Sequence, residues 1–264
     1  MEQETSLDKA LTVLEAVARE GKASLTKLAR QTGYPPSTVH RILGVLVRRG
    51  YLNQELPSKK YQLSLKILEL SSRLQVGLDI IGVARPVMKK LMESTGETVN
   101  LVVFNNQEAI YVAQVSNTNS VLRMFTRVGA RVPLYCSGVG KTYLASWPQD
   151  QVLAYFDSME IKSYTENTIV QPHRLLRELE AIRRNGYAVD DQEMEMGVRC
   201  VAAAVEQDGE VVAALSVSGP SSRITPEATD RLGNQVAEAA GEIADALGYC
   251  ERPSQSYAGR VGSS

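Results

Sequence analysis

The stretch Gly138–Thr142 (GVGKT) is the part of the sequence that looks most like a ligand-binding loop. Its Gly-Lys-Thr ending is shared with the phosphate-binding P-loop, which also requires a glycine five residues before the glycine of Gly-Lys. That position is Tyr135, and no clear buried strand precedes the loop, so we do not expect a nucleotide site. The stretch instead predicts a loop that leads into a helix, whose first N–H groups can hold an anion.

Small and hydroxyl-bearing side chains elsewhere agree with an anion site. Ser216 and Ser218 alternate along a predicted strand, so both hydroxyls emerge on one face of the sheet. Cys200, Ala202 and Ala204 share one face of the preceding strand, where small side chains leave room for a ligand. These two strands therefore predict one wall of a pocket.

Three further positions complete the candidate site, and each signal has an ordinary structural alternative. Gly129 and Ala130 offer exposed backbone N–H groups near the loop, and Ser137 offers a hydroxyl. However, strand serines commonly face solvent, and a lone cysteine is commonly a small core residue. The pair Asp190-Asp191 after a strand is typical of a turn.

A thiol enzyme is the competing class of protein. Cys136 or Cys200 would be the nucleophile, and the base would have to be His173, which directly follows Pro172 at a predicted helix start. The sequence holds three cysteines without CxxC spacing and two histidines, which predicts neither a disulfide framework nor a zinc site. We therefore expect no catalytic residue, no metal and no cofactor.

A second polar surface is predicted near the N-terminus, in residues 24–61. Thr32–Pro35 separates two predicted helices, and the second helix buries a stripe that begins at Val39 and ends at Leu46. Its opposite face is polar, which is typical of a helix-turn-helix whose second helix enters the major groove. Two short strands around a basic tip follow and predict a wing. The candidate DNA-contacting residues are Thr26, Ser37, Thr38, His40, Arg41, Lys59 and Lys60.

Positive charge is concentrated in the same region. Residues 21–60 hold eight Lys/Arg and one acid, and residues 1–78 carry net +5 whereas the remainder carries net −6. A basic head on an acidic body predicts that only the head contacts nucleic acid. The polar start is unlike a signal peptide, and no apolar run reaches the roughly 18 residues that a membrane span needs. We expect a soluble, cytoplasmic protein without a membrane partner.

Periodicity and turn residues predict the elements that position these side chains. A first helix would start at Ser6 as N-cap and bury Leu7, Leu11, Leu14 and either Val17 or Ala18. Gly129–Gly138 is predicted to be a loop. The further predicted helices are 64–77, 80–95, 139–147, 150–158, 171–185 and 226–247, and the predicted strands are 97–104, 109–115, 120–128, 187–190, 198–206 and 211–218. Two runs of strands framed by helices predict an α+β domain with an antiparallel sheet.

Beyond these patterns, three N-terminal stretches, SLDKALTVLEAV, PSTVHRIL followed by GYL, and YQLSLKILEL, resemble the IclR family of bacterial transcriptional regulators. PLYCSGVGK, DDQEMEMGVRC and SVSGP extend the resemblance, which covers residues 7–249. It implies an α+β chain with a winged helix-turn-helix (6–63), a linker helix (64–78) and an effector-binding domain similar to the GAF fold (79–250). A flexible tail (251–264) would follow.

The resemblance also implies a function. Such a protein is a sequence-specific regulator, more commonly a repressor than an activator, that binds operator DNA as a homodimer, or as a tetramer of paired dimers. A small carboxylate, such as a sugar acid or a 2-keto acid, would control DNA binding. LRMFTRVG and PLYCSGVGK are most similar to the sugar-acid branch of the family.

The family's pocket carries over to this sequence residue by residue. Backbone amides and hydroxyls would hold the effector's carboxylate, and Asp190, rather than Asp191, would take a hydroxyl or an aldehyde hydrate. Position 136 is Cys where many members carry Ala or Thr, which bears on the ligand that fits. The implied effector-binding residues are Gly129, Ala130, Ser137, Asp190, Cys200, Ser216 and Ser218.

Overall fold

The computed structural model describes residues 4–71, 78–105, 107–116 and 127–250. Its contacts divide the chain into two compact units, Met1–Val76 and Gly77–Ser264. One hydrophobic core lies in the first unit and two lie in the second. Within the described ranges no helix is long and apolar enough to cross a membrane.

The N-terminal unit is a three-helix cluster followed by a two-stranded hairpin and a short helix. Its elements are α1 (Ser6–Glu20), α2 (Leu25–Thr32), α3 (Pro36–Arg48), β1 (Leu52–Glu55), β2 (Lys60–Leu63) and α4 (Lys66–Ser71). Gly33 ends α2 with φ 74°, a left-handed conformation that glycine adopts without steric cost, and Pro36 begins α3. The predicted linker helix is observed only as α4, because residues 72–77 lie outside the described part of the chain.

The prediction for α1 was wrong at its start and wrong for Leu7 and Leu11 on its buried face, whereas Val17 is buried and Leu14 packs against the core, as predicted. Thr5, not Ser6, is the N-cap, because its side chain and that of Asp8 form a reciprocal capping box. The core takes Val13, Ala16 and Val17, whereas Leu7 and Leu11 are 68% and 49% exposed. Heptad-like leucine spacing predicted one apolar stripe, but α1 packs on α2 and α3 through the neighbouring one.

The second unit is a six-stranded antiparallel sheet with helices on both faces. Its elements in chain order are α5 (Leu78–Thr95), β3 (Thr98–Asn105), β4 (Glu108–Val115), β5 (Arg131–Pro133), α6 (Gly138–Ala145), α7 (Gln149–Ser158), α8 (Pro172–Asn185), β6 (Ala188–Asp191), β7 (Val198–Gln207), β8 (Glu210–Pro220) and α9 (Pro226–Cys250). The strand order is β5-β4-β3-β8-β7-β6. The α+β class and the antiparallel sheet are thereby confirmed.

The two faces of the sheet have different neighbours. Residues such as Val99, Val201 and Val217 pack on α5 and α9. The opposite face contributes smaller residues, such as Ala188 and Ala202, to a core shared with α6, α7 and α8. Because the strand period is two, each strand supplies alternate residues to the two cores. The second face, with its small side chains, is the one that carries the candidate pocket.

Some local predictions in this unit need correction. The predicted loop Gly129–Gly138 contains the edge strand β5, where Val132 pairs with Ala109 of β4. Most of the predicted strand 120–128 lies outside the described residues, and Arg127 and Val128 are not in a strand. The predicted tail 251–264 is also outside the described part.

Candidate functional site

A cavity of about 500 Å³ lies between the sheet and the start of α6. It contains five of the seven predicted pocket residues and omits Gly129 and Ser216. Cavities of roughly 300–1,000 Å³ are the usual size of small-molecule sites. The lining residues are Tyr111, Ala130, Arg131, Val132, Ser137, Gly138, Val139, Asp190, Met194, Glu195, Val198, Cys200 and Ser218.

The N-terminus of α6 forms one side of this cavity. Ser137 is the N-cap: its hydroxyl accepts a hydrogen bond from the Gly140 N–H at 3.1 Å and donates to the Pro133 carbonyl at 2.7 Å. The N–H groups of Gly138 and Val139 belong to the first turn, where a helix offers no internal acceptor. Both residues line the cavity, so their amides and the helix dipole favour an anion there.

The glycines of this loop allow close packing of α6, with Gly140 against the chain just after β5 and Gly138 against β7. A Cβ on Gly140 would lie 2.3 Å from Cα of Leu134, and one on Gly138 would lie 3.3 Å from Cβ of Ala202. A side chain at position 140 would therefore force α6 away from the Leu134 backbone, whereas a methyl group at position 138 would require Ala202 to shift by only a few tenths of an ångström. The Gly-x-Gly spacing thus has a structural cause that is unrelated to phosphate.

The lysine of Gly-Lys-Thr is also structural. Lys141 is fully buried and donates to the Val189 carbonyl at 2.6 Å. Its ammonium also pairs with Glu193, through a short contact, and with Glu178 at 3.2 Å. A P-loop lysine must be free to reach phosphate oxygens, and this one is held by the protein's own carboxylates.

Asp190 and Cys200 face the cavity from adjacent strands, where they are directly paired in the β6–β7 register. Burial raises the pKa of the Asp190 carboxyl to about 6, although Lys141 and the Glu193 N–H, which donates to Asp190 Oδ1 at 2.8 Å, oppose the rise. Burial likewise raises the pKa of the Cys200 thiol to about 11. Cys200 is therefore a neutral thiol at physiological pH, which makes it a poor nucleophile.

The two predicted serines occupy different depths. Ser218 lines the cavity, whereas Ser216 is completely buried and outside the lining. Both hydroxyls lie near Nδ2 of the buried Asn100, at 3.3 Å from Ser218 and 3.5 Å from Ser216. Asn100 in turn accepts from Gln114 at 2.9 Å. We therefore expect Ser218 to contact a ligand and Ser216 to support the layer beneath it.

The turn after Asp190 is held from outside by the loop that precedes α8. Thr165 donates to the Gln192 carbonyl at 2.7 Å, and Thr168 donates to the Glu193 carbonyl at 2.7 Å. Since this turn supplies Met194 to the cavity lining, the two threonines fix the shape of one wall.

Sequence reasoning missed several cavity residues. Tyr111 is far along the chain from the predicted loop Gly129–Gly138. Arg131 lies within that loop, next to the predicted Ala130, and pairs with Glu108 at 2.8 Å at the edge of the sheet. Met194 and Glu195 lie in the quoted DDQEMEMGVRC stretch, which was the available signal for them. Cys136, flagged as a departure, is buried behind the lining, with its sulfur 3.1 Å from that of Met194.

In the N-terminal unit, the predicted DNA-contacting residues lie mainly on its surface. Thr26, Ser37, His40 and Arg41 are exposed and Thr38 is half-buried, while Val39, Ile42, Leu43 and Leu46 fill the core behind them. Lys59 and Lys60 are exposed at the turn between β1 and β2, where Gln54 pairs with Tyr61. The unit is a winged helix-turn-helix with a polar outer face on α3.

A winged helix-turn-helix in the same chain as an α+β unit with a ligand-sized cavity defines the class of effector-controlled DNA-binding regulators. Comparisons with known proteins identify the family within that class. Residues 6–56 match the IclR helix-turn-helix domain, and residues 73–245 match the bacterial transcriptional regulator IclR C-terminal domain. The chain belongs to the IclR family of transcriptional regulators, as its resemblance predicted, and is not an enzyme.

Individual relatives are similar over nearly the whole chain. The acetate operon repressor of Salmonella typhimurium is 36% identical over 250 residues, which cover 93% of this chain and 91% of that protein. The crystal structure of the Thermotoga maritima IclR is 32% identical with a TM-score of 0.77, covering 92% of this chain and 99% of that one. An IclR homologue from Microbacterium hydrocarbonoxydans complexed with 4-hydroxybenzoate is 25% identical with a TM-score of 0.80, covering 93% and 100%.

Proposed function

We propose that this protein is a cytoplasmic repressor whose operator binding is controlled by a small carboxylate metabolite, such as a sugar acid or a 2-keto acid. The observation that carries the proposal is the cavity at the start of α6. There the Gly138 and Val139 amides and the Ser218 hydroxyl are donors for a carboxylate, and Asp190 is an acceptor for a hydroxyl. Two of the three relatives described above support it: one is named as a repressor and the other is a complex with a hydroxylated carboxylate.

The apolar part of the lining sets the size and shape of the effector. Val132, Val139, Val198 and Met194 surround the polar groups, so the carbon skeleton contacts a largely apolar wall. Arg131 adds a cation to the lining, while its bond to Glu108 ties it to β4. A ligand with one carboxylate and at least one hydroxyl or carbonyl group matches these donors and acceptors better than a phosphate ester or a hydrocarbon does.

For DNA binding, we infer a division of labour among the exposed residues of the N-terminal unit. Four residues of α3 would contact base edges: Ser37, Thr38, His40 and Arg41. Thr26 on α2 would lie beside the DNA backbone. Lys59 and Lys60 would meet phosphates from the wing. Lys22 and Lys27 are already paired with Glu55 and Glu20, so they contribute less to phosphate binding.

We further infer that the working form is a homodimer, or a tetramer of paired dimers. Each α3 fills one major groove, so a two-fold dimer requires a palindromic operator with half-sites about 34 Å apart or a multiple of it. Leu7 and Leu11 of α1 are exposed, apolar and unused by the core, which makes α1 a suitable dimer surface. Double substitution of both leucines by glutamate should give monomers in analytical ultracentrifugation and abolish cooperative operator binding.

The test of the effector class is a ligand screen on the full chain. The titrants would be pyruvate, gluconate and 4-hydroxybenzoate. Binding would be followed by the fluorescence of Trp147, the single tryptophan, which lies near α6. Gel shift with a palindromic operator, selected from random DNA, would then measure the change in DNA affinity. Saturable binding of one acid, together with weaker operator binding, supports the proposal. Failure of all three acids at millimolar concentration would refute the proposed effector class.

The alternative function is activation of transcription by a regulator of the same family. An activator would keep the operator occupied when the carboxylate binds, and transcription from the bound operator in vitro would rise rather than fall. The transcription assay therefore distinguishes repression from activation, and the gel shift measures how far the effector changes operator affinity.

A further inference from the structure

A cluster of buried charged side chains lies beside the cavity. Lys141 of α6 is surrounded by Asp190 of β6, Glu193 of the following turn and Glu178 of α8. The side chains of Lys141 and Glu193 are 1% and 5% exposed, whereas that of Glu178 is 34% exposed. One buried cation therefore faces two buried carboxylates and a third that solvent partly screens.

The carboxylates are incompletely satisfied. Oε1 of Glu193 receives the Lys141 ammonium, but Oε2 is buried and has no hydrogen-bond partner within the described residues. Asp190 accepts from the Glu193 N–H and also lines the cavity. If every group were ionised, this cluster would hold an excess of negative charge directly beside the ligand. Such an arrangement is unfavourable in a poorly hydrated interior.

An anionic effector makes the conflict sharper. The α6 N-terminus that would hold its carboxylate is three residues from Lys141, and the Asp190 carboxyl lines the same cavity. Each added negative charge in this space disfavours the ionised form of Asp190 and Glu193. Protonating one of them lowers the excess negative charge by one, without breaking the bonds of Lys141 to Glu178 and to the Val189 carbonyl.

We propose that the carboxylate effector binds together with one proton, which the Asp190–Glu193 pair takes up from solvent. This inference rests on the proposed function, because it requires an anionic ligand in the α6 cavity. The two carboxyls act as a coupled pair, so the proton belongs to the pair rather than to either residue. Effector sensing would then report pH as well as metabolite concentration.

The electrostatics around both groups agree with this assignment. Burial raises the pKa of Glu193 to about 7 and that of Asp190 to about 6, and Lys141 opposes both shifts. The Asp190 carboxyl is also near the charge of Asp191 and the backbone N–H groups of Glu193 and Met194. The Glu193 carboxyl is near the charges of Asp190 and Glu178. Arg131 and Glu195 also line the cavity. Three further ionisable neighbours, Cys136, Cys200 and Tyr111, have raised pKa values because of burial and stay neutral.

The affinity for the effector should fall as the pH rises. Below about pH 6 Glu193 is protonated in the free protein, so the pair already holds the one proton that binding requires and the affinity is constant. Above about pH 7 both carboxyls are ionised in the free protein, and binding must recruit a proton. There the association constant should fall by up to about tenfold per pH unit, the limit for one proton. The probe carboxylates stay ionised throughout, since such groups titrate at roughly pH 3 to 5.

Isothermal titration calorimetry of the full chain measures the proton directly. The tightest binder among pyruvate, gluconate and 4-hydroxybenzoate would be titrated at about pH 5.5 and about pH 8, in buffers with different ionisation enthalpies. We expect the observed enthalpy to vary with the buffer by close to one proton at the higher pH and by almost none at the lower. Saturable binding without buffer dependence and without a change in affinity would overturn this inference and leave the proposed function intact. If none of the acids binds at either pH, the proposed function fails and this inference fails with it.

Two substitutions, one in this turn and one in the loop that packs on it, separate the pair from its surroundings. Glu193→Gln keeps the shape of the side chain and should reduce proton uptake at the higher pH to less than half of the wild-type value. Glu166→Gln, the matched control, removes an exposed carboxylate next to Thr165 that does not line the cavity and should retain the wild-type uptake. Unchanged uptake in Glu193→Gln would overturn the assignment to the pair. If that variant does not fold, as judged by Trp147 fluorescence, the wild-type calorimetry alone decides.

Discussion

Gly140→Ala tests whether the glycine-containing loop exists for packing. The new methyl group would lie 2.3 Å from Cα, 2.4 Å from the carbonyl oxygen and 2.7 Å from the carbonyl carbon of Leu134. All three contacts are with backbone, so no side-chain rotation can relieve them. Helix α6 would have to move away from the chain segment before it.

The expected magnitude combines two opposing effects. Alanine favours a helix interior over glycine by about 1 kcal/mol. Overpacking a close contact costs about 1–3 kcal/mol, and contact with rigid backbone belongs at the upper end of that range. We therefore expect a net loss of about 1–2 kcal/mol in the free energy of unfolding of the second unit.

Urea unfolding followed by Trp147 fluorescence is the appropriate assay. Trp147 lies just after α6 and contacts Tyr143, with ring centroids 5.3 Å apart, so its signal reports this unit. Gly241→Ala is the matched control, since Gly241 is exposed within α9 and an added Cβ would meet nothing within 4 Å. That control should stabilise the protein by about 0.5–1 kcal/mol. Equal stabilisation by both substitutions would refute the packing explanation of Gly140.

Further predictions concern the pocket, the DNA surface and the buried carboxylate. Ser218→Ala should weaken carboxylate binding by roughly 10- to 150-fold in calorimetry, because a hydrogen bond to a charged group contributes about 1.5–3 kcal/mol, whereas Ser216→Ala should change it by less than about threefold. Arg41→Ala should reduce discrimination between operator and mismatched DNA by about 1–3 kcal/mol, measured by competition gel shift. Lys60→Ala should weaken all DNA sequences alike and lower the salt slope by about one, and an unchanged slope would contradict the assignment of the wing. In the unliganded protein, burial raises the pKa of Glu193 from its ordinary value of 4.5 to about 7. Because the folded state therefore holds this proton more tightly than the unfolded state, the free energy of unfolding falls as the pH rises from about 4.5 to about 7. Glu193→Gln should remove about 1–3 kcal/mol of this loss in urea titrations across that range, and a wild-type pH profile in the variant would contradict it.

The sequence by itself determined the class of each unit and much of the DNA surface. Turn chemistry around Gly33 and Pro36 and the apolar spacing from Val39 to Leu46 are local signals, because a helix carries its period in consecutive residues. The alternation of strands and the glycine stop at Gly186 are local in the same sense. Strand β5 was missed because it is only three residues long and lies at the sheet edge, where pairing rather than pattern defines it.

Residues far apart in the chain made the pocket only partly predictable. Ser137, Asp190, Cys200 and Ser218 could be proposed from the residues together with the family resemblance, and their joint presence at one cavity required the antiparallel pairing of β6, β7 and β8. Ser216 shares the face of Ser218, but the depth of each serine depends on what covers it. Only the folded structure shows that Ser216 lies outside the cavity lining and that Ser218 is part of it.

Tertiary structure alone decided two features that sequence patterns misrepresent. A bulge between Leu101 and Val102 shifts the β3–β4 register, so Tyr111 turns toward the cavity while Ala113 packs on the opposite face. Strict alternation would have placed both on one face. Likewise, Lys141 looks like a phosphate ligand in the sequence, yet three carboxylates from other elements surround its ammonium. A side chain's chemistry is local, but its burial and its partners come from segments that only folding brings together.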